Sequence, residues 1–333
     1  MTSSTESVSR HSPMDSTGGL QRQDTVVLTP ADKKVPWATV CLVEHELNVF
    51  VQLYDNDVTF GGGQEAVVRV HDAAAAAIHC TLRRTPEGVL VQDNSETGTI
   101  VDDELVHHGS RRTKVPLTMR IGATELTVNP PTGVSDLYTT KAYLGQGATA
   151  AVWKCESCDG KNRTVAVKQV LHHGIGDPRV LAAFANEART LSRLNDANIV
   201  GVEALFLGVS PAIVLEHVAG ESLAKAIDRG IPKAQAPAVF RQLLRAIACL
   251  HTNQIVHRDV KPANVLLDTH GVVKLVDFGL ARDITLGLCM APAGTPLYRA
   301  PEVYDPTGRG YGTSVDVWSS GMVLHEMSVT RHF

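Results

Sequence analysis

The residues best equipped for chemistry lie between positions 145 and 279 of the 333-residue chain, in short strings rather than singly. His257-Arg258-Asp259-Val260-Lys261-Pro262-Ala263-Asn264 sets a carboxylate, an ammonium and a carboxamide close together. Asp259 has the chemistry to orient a hydroxyl and accept its proton, Lys261 to neutralise an anionic group in transfer, and Asn264 to ligate a metal ion. Asp277-Phe278-Gly279 adds a second metal-binding carboxylate in Asp277. Upstream, Gly145-Gln146-Gly147-Ala148-Thr149-Ala150-Ala151-Val152 follows a strand-like run, with Ala150 where a G-x-G-x-x-G repeat has its third glycine. Such a loop covers phosphates with backbone amides. Lys168, in the strand-like Thr164-Val165-Ala166-Val167-Lys168, suits the α- and β-phosphates of a nucleotide beneath it, and Glu187 is the carboxylate available to fix that lysine. Phosphoryl transfer needs in-line positioning and dispersed charge neutralisation rather than a covalent nucleophile, and these are the parts for it.

Elements must hold these groups. Val180, Phe184, Ala188, Leu191 and Leu194 recur at helical spacing around Glu187 and predict a helix over 177–194. Phe240, Leu243, Leu244, Ile247 and Leu250 predict another over 237–251. Residues 35–129 have a different texture. Runs at 38–44, 47–53, 66–72, 78–84, 88–93, 98–103 and 125–130 are rich in Val, Thr, Leu and Ile and separated by Gly, Asp, Asn and Pro, the strand–turn spacing of an all-β sandwich. A linker at 130–136, opened by Pro130-Pro131, divides the two textures. Residues 1–34, with nine Ser or Thr in the first twenty positions and few large apolar side chains, read as a disordered tail.

Composition narrows the classes. A 44% hydrophobic content supports two domains with buried cores. A formal charge of −4 gives no general attraction to nucleic acid or anionic lipid, and Arg83-Arg84 and Arg111-Arg112-x-Lys114 read as solvated loop charge. No apolar run is long enough to span a membrane and the start lacks a signal-peptide core, so an intracellular place, cytoplasm or nucleus, is expected. Six scattered cysteines form no disulfide framework, and Cys155-x-x-Cys158, without a second pair, reads as a plain turn rather than a zinc site.

In their order and spacing, the glycine loop, Val-Ala-Val-Lys168, Glu187, His-Arg-Asp259, Asp277-Phe-Gly and Ala300-Pro-Glu302 resemble the protein kinase superfamily. The resemblance runs over residues 137–333 and implies an α+β bilobal fold using ATP and Mg2+. It implies Asp259 as catalytic base beside Lys261, Lys168 held by Glu187, and Asn264 with Asp277 on the metal. The ATP pocket would take Leu144, Gly145, Gly147, Val152, Ala166, Lys168 and Leu266, with Leu215 to Val218, including Glu216, as the adenine-side hinge. Lys261 and Gly294-Thr295 look like the serine/threonine type, and Leu280 resembles serine-preferring members, so protein serine, then threonine, is the implied acceptor. Ser222 and Ala263 stand where basic-directed relatives have acids, which implies no strong demand for arginine upstream of the target. In the activation segment, Thr285, Thr295 and Tyr298 are the hydroxyls between Gly279 and Ala300. Arg258 points to a phosphate pocket that either Thr285 fills or activity does not need. Asp316 matches the residue that braces the His-Arg-Asp turn.

Ahead of a kinase, residues 35–129 are similar to a forkhead-associated (FHA) sandwich. The resemblance places its phosphate-binding loops on Gly61-Gly62, Ala76-Ala-Ile-His79 and Asp93-Asn-Ser95-Glu-Thr97-Gly98-Thr99. Where the family grips a phosphothreonine with Arg, Ser and Asn, this chain has Gly62, Ala76 and Thr97, with five alanines in the loop. The expected role is therefore a protein-interaction surface that does not read phosphothreonine, with Arg69 and Arg111 the nearby cations. The whole arrangement resembles the FHA-containing checkpoint kinases, although the chain has no Ser-Gln or Thr-Gln. The sequence stops at Phe333, before a helical lobe of the usual length would end, so either a piece of a longer kinase or a naturally shortened chain is expected, the latter carrying the alternative of a non-catalytic scaffold.

Overall fold

Strand β1 (Ala38–Glu44) turns through Glu46, whose φ is 67°, into β2 (Leu47–Leu53), and Val40 pairs with Val51 across the hairpin. The computed structural model to which these strands belong describes residues 35–329 except 45, 176, 233, 306 and 308; the tail expected at 1–34 lies outside them. Nine more strands follow: β3 (Asp57–Gly61), β4 (Val68–Arg69), β5 (Cys80–Thr85), β6 (Gly88–Asp93), β7 (Thr99–Val101), β8 (Glu104–Val106), β9 (Ser110–Thr113), β10 (Leu117–Ile121) and β11 (Thr124–Asn129). One layer runs β2-β1-β11-β10-β7-β8 and the other β4-β3-β5-β6-β9. Alternation in β10 buries Leu117, Met119 and Ile121 and exposes Thr118 and Arg120, the period-2 pattern of a sheet with one face in the core.

The structure departs from the predicted runs in places. The run at 66–72 pairs only at Val68–Arg69, and β3, β8, β9 and β10 were not among the predicted strands. Arg83 is bonded to Asp57, Arg112 to Glu87, and Arg111 to Glu104 and the Val101 carbonyl, so these arginines are paired rather than pooled into a patch.

After α1 (Val134–Leu137) come β12 (Tyr138–Gln146), β13 (Ala150–Ser157), β14 (Thr164–Val170), α2 (Pro178–Ser192), β15 (Val202–Leu207) and β16 (Ala212–Glu216). The strands order as β12-β13-β14-β16-β15, all antiparallel. The sheet does not end there. β15 pairs in parallel with β2, Ala204 opposite Asn48 through Leu207 opposite Val51, giving one sheet of eleven strands across both halves of the chain. Phe50 stacks on Phe206 at 4.4 Å along this seam, and Val209 N donates to the Gln52 side chain and the Tyr54 hydroxyl beside it.

The remaining part comprises β17 (Gly220–Ser222), α3 (Leu223–Arg229), α4 (Ala236–Thr252), β18 (Ile255–Val256), β19 (Val265–Asp268), β20 (Val273–Leu275), β21 (Arg282–Asp283) and α5 (Ser314–Val329). Both predicted helices form. Asp177 caps α2 by accepting from Arg179 N, Pro178 opens its first turn, and Phe184, Ala185, Ala188 and Leu191 face the core. In α4 the predicted stripe holds at Leu243, Ile247 and Leu250, but Leu244 is exposed, because Ala246 and Val239 complete the buried face instead. The Cys155-x-x-Cys158 segment is not a plain turn: Cys155 lies within β13 and only Cys158 belongs to the turn that follows, in which Ser157 donates to Asp159; no cluster of metal-ligating side chains occurs among the described residues. Among them, too, no helix is long and apolar enough to cross a membrane.

Candidate active site

The site is built around a turn that the sequence forces into an unfavourable backbone conformation and then secures. β18 leads directly into His257 and Arg258, and Arg258 sits at φ 67°, a left-handed value that costs a residue with a Cβ energy. The buried Asp316, in the first turn of α5, holds it there. Its two oxygens accept from His257 N at 2.8 Å and Arg258 N at 2.9 Å, and His251 Nε2 lies 3.0 Å away. His257 is fully buried; its Nδ1 accepts from Asp259 N, so its Nε2 donates to the Val276 carbonyl. Burial lowers its pKa, in agreement with a neutral ring.

Asp259 stands at the exit of this turn with both carboxylate oxygens engaged. Oδ1 accepts from Thr295 N at 2.8 Å and Thr295 Oγ1 at 2.7 Å. Oδ2 accepts from Lys261 Nζ at 2.7 Å and Asn264 Nδ2 at 3.0 Å. Lys261 also donates to Thr295 Oγ1 at 2.8 Å, closing a ring of Asp259, Lys261 and Thr295. The Asn264 amide nitrogen is committed to Asp259, so its oxygen faces away from that carboxylate.

Lys168 lies on β14 opposite Val152 of β13, so the strand that leaves the glycine loop is registered against the lysine. Its ammonium touches both oxygens of Glu187, at 2.7 and 2.8 Å, and Asp277 at 2.9 Å. Burial opposes its charge, but Glu187 and then Asp277 carry the ammonium pKa above its ordinary value. Burial lifts the Glu187 carboxyl above its ordinary value, against the pull of Lys168 through its two short contacts. Asp277, partly desolvated, is held below the ordinary carboxylate range chiefly by Lys168. Val276 N donates to the Asn264 carbonyl at 3.0 Å, which brings the Asp277 and Asn264 segments side by side, and Phe278 is buried against the His257 ring at 4.8 Å.

A sequence model described as the protein kinase domain matches residues 138–333, more than half of the chain. The chain belongs to the protein kinase family. It is 30% identical over 308 residues to the probable serine/threonine-protein kinase fhkE of Dictyostelium discoideum, covering 83% of this chain and 43% of that protein. It is 33% identical to the serine/threonine-protein kinase TIO of Arabidopsis thaliana over 59% of this chain and 15% of TIO. Against the mouse serine/threonine-protein kinase PAK 1 the figures are 34% identity, 57% of this chain and 34% of that protein. The chain thus spans less than half the length of these curated relatives, and the expected shortening of the helical lobe is not supported by the kinase match.

Ala166 pairs with Leu215, and Leu144 and Leu266 lie on β12 and β19. Gly147 N donates to the Ala150 carbonyl, closing the glycine loop. Glu216 has its side chain committed to Gly201 N and Lys274, and Val218 follows at the end of β16. Glu302 accepts from Ser314 Oγ at 2.9 Å. Thr285 lies apart from the charged centre: its hydroxyl donates to Asp283, which also binds Arg193, while Arg258 Nε donates to the Leu280 carbonyl. Among the described residues no hydrogen bond joins Arg258 to Thr285. Thr295, by contrast, is part of the centre itself, a role its place in the activation segment did not reveal.

In front of the kinase match, His79 is fully buried. Its Nδ1 accepts from Ala76 N at 3.2 Å and its Nε2 donates to the Gly98 carbonyl at 3.1 Å. Asp93 accepts from Ser95 Oγ and Thr99 Oγ1, and Ser95 Oγ accepts from Gly98 N. The alanine run forms a tight turn whose carbonyls at Ala76 and Ala77 accept from Gly62 N and Gly63 N. Gly62 and Thr97 are exposed at its rim.

Proposed function

We propose that the chain is a serine/threonine protein kinase that transfers the γ-phosphate of ATP to protein serine, with threonine as second acceptor. The observation that supports this best is the ring of Asp259, Lys261 and Thr295 standing beside a formed Lys168–Glu187 ion pair. Asp259 orients the acceptor hydroxyl and takes its proton as the oxygen bonds to the γ-phosphorus. The bond from that phosphorus to the bridging oxygen breaks, and ADP leaves. Lys261 neutralises the phosphoryl group in flight, and Lys168 holds the α- and β-phosphates in line. The residues fit Mg2+. Asp277 and the Asn264 amide oxygen are hard oxygen donors on adjacent segments, too few for an all-protein cage and suited to an ion that shares its coordination with substrate phosphates. When bound, that ion supplies charge neutralisation at the phosphate oxygens.

Thr285 donates to the Asp283 carboxylate, and among the described residues no hydrogen bond joins it to Arg258, which supports the reading that loop phosphorylation is not required. The arrangement of the N-terminal region supports an FHA-like interaction module, and with it a signalling role of checkpoint type inside the cell, cytoplasmic or nuclear. The Asp93, Ser95, Thr99 and His79 network keeps the loops in shape, but Gly62, Ala76 and Thr97 bring no charge to a phosphate. Its partner would be a protein recognised without phosphothreonine.

The deciding experiment is Mg2+-dependent transfer from ATP to a degenerate serine peptide library. Transfer that disappears in Asp259→Asn supports the kinase reading. Nucleotide binding without turnover in the wild-type chain would replace it with a non-catalytic scaffold. For the N-terminal region, micromolar binding of a phosphothreonine library, absent for the unphosphorylated peptides, would overturn the interaction reading.

A further inference from the structure

Helix α2 carries two charged side chains that leave it in opposite directions. At about 3.6 residues per turn, Glu187 and Arg189 stand about 200° apart around the axis. Glu187 meets Lys168. Arg189 Nε donates to Glu44 Oε2 at 2.9 Å, across 145 residues of sequence, with both side chains largely buried at 18% and 9% exposure. Glu44 is the last residue of β1, and its other oxygen lies 3.5 Å from His71 Nδ1. Burial alone would raise the Glu44 carboxyl; bonds from His71 and Arg189 bring it down to about 2, so it stays ionised. The backing is continuous: Ala188 and Leu191 of α2 belong to one apolar cluster with Val49 and Val51 of β2, and β2 is the strand that pairs with β15.

We propose that Glu44 is a positioning residue for the Lys168–Glu187 pair, acting through Arg189, so that the N-terminal sheet region holds α2 in the orientation phosphoryl transfer needs. The inference rests on the kinase reading of the site. Exposed ion pairs contribute little to stability, but this one is enclosed, joins two halves of the chain and lies on the element whose placement assembles the nucleotide site. Because the two pairs lie on opposite sides of the helix, a rotation of α2 about its axis breaks both together. The sheet region therefore acts as a built-in clamp on the kinase.

The test uses the full chain with Glu44→Gln, Arg189→Gln and the double variant, reading kcat, KM for ATP and amide hydrogen exchange. The expected result is a roughly tenfold fall in kcat for each single variant, with KM for ATP changed by less than about twofold. The double variant falls no further than either single one. Exchange quickens in residues 178–192 but not in 236–252, and Arg189→Lys recovers part of the loss. Unchanged kcat and α2 exchange, losses that multiply, or faster exchange spread over the whole chain would each overturn the clamp. Should Glu44→Gln fail to fold, Glu44→Asp, which keeps the charge and withdraws the carboxylate, gives the same comparison. If the wild-type chain transfers no phosphate, the kinase reading fails, and the exchange comparison alone decides the clamp.

Discussion

At the scale of single residues, two threonines of the activation segment are expected to behave oppositely. Thr295 gives Asp259 two hydrogen bonds and accepts one from Lys261, so Thr295→Val removes the hydroxyl that couples base and ammonium while keeping the shape. A fall of roughly 10- to 100-fold in kcat is expected, smaller than for Asp259→Asn because the backbone amide still reaches Oδ1. Steady-state transfer to the serine library measures it. Thr285 donates only to Asp283, on the exposed face of the segment. Thr285→Ala is expected to leave kcat within about twofold, since a phosphate there would meet the Asp283 carboxylate, which already engages Arg193. Loss of activity in Thr285→Ala, with phosphate detected on Thr285 in the active wild type, would show that the loop phosphate is needed after all. Lys168, Asp259, Lys261 and Asp277 were legible in the sequence because each belongs to a short ordered string, and Glu187 because it lies on the predicted helix that follows Lys168. Thr295's part in the centre was not, since its hydroxyl reaches Asp259 across 36 residues.

At the scale of elements, the helices were legible because an amphipathic stripe needs no partner to be recognised. Strands were less so. β9 reads Ser110-Arg-Arg-Thr113 and β8 is three residues long, too polar or too short to stand out from a turn, whereas their pairing to β6 and β7 is what makes them strands. The alanine run is the same lesson in a loop. Five alanines are compatible with a helix, yet Ala76 and Ala77 direct their carbonyls to Gly62 N and Gly63 N, and the glycines opposite decide the conformation. A Cβ on Gly61 would lie 2.4 Å from the Ala77 carbonyl oxygen, so the backbone of one loop has to move. Gly61→Ala is therefore expected to destabilise by about 1–3 kcal/mol. Gly62→Ala, whose Cβ meets Ala75 O at 3.1 Å, costs less. Urea unfolding of the two variants against wild type gives the order; equal effects would mean that the turn adapts freely.

At the scale of the whole molecule, the question is whether two textures of sequence make two units of folding. The Pro-rich linker and the change of composition near residue 130 argue for separate domains, and nothing in the periodicity of Leu47–Leu53 names its second neighbour, because a strand pattern fixes which face is buried and not which edge is paired. The structure joins the halves through that edge. Left alone, β15 would present unpaired backbone groups, a template for aggregation; β2 covers it in register from Asn48 to Val51. One apolar cluster then extends from Val40 and Leu126 through Ala188 and Leu191 to Leu250 and Met327. A shared sheet and a shared core tie the free energies of the halves together, so they are expected to unfold in one cooperative transition. Trp37 reports the N-terminal sheets and Trp153 lies on β13, which allows a direct measurement in two variants that each retain one of these tryptophans, the others replaced by phenylalanine. Urea midpoints that coincide between the two probes support a single unit. A Trp37 transition at lower urea, with Trp153 unmoved, would make the seam a contact between independent domains, and the clamp on α2 would then have to act through Glu44 and Arg189 alone.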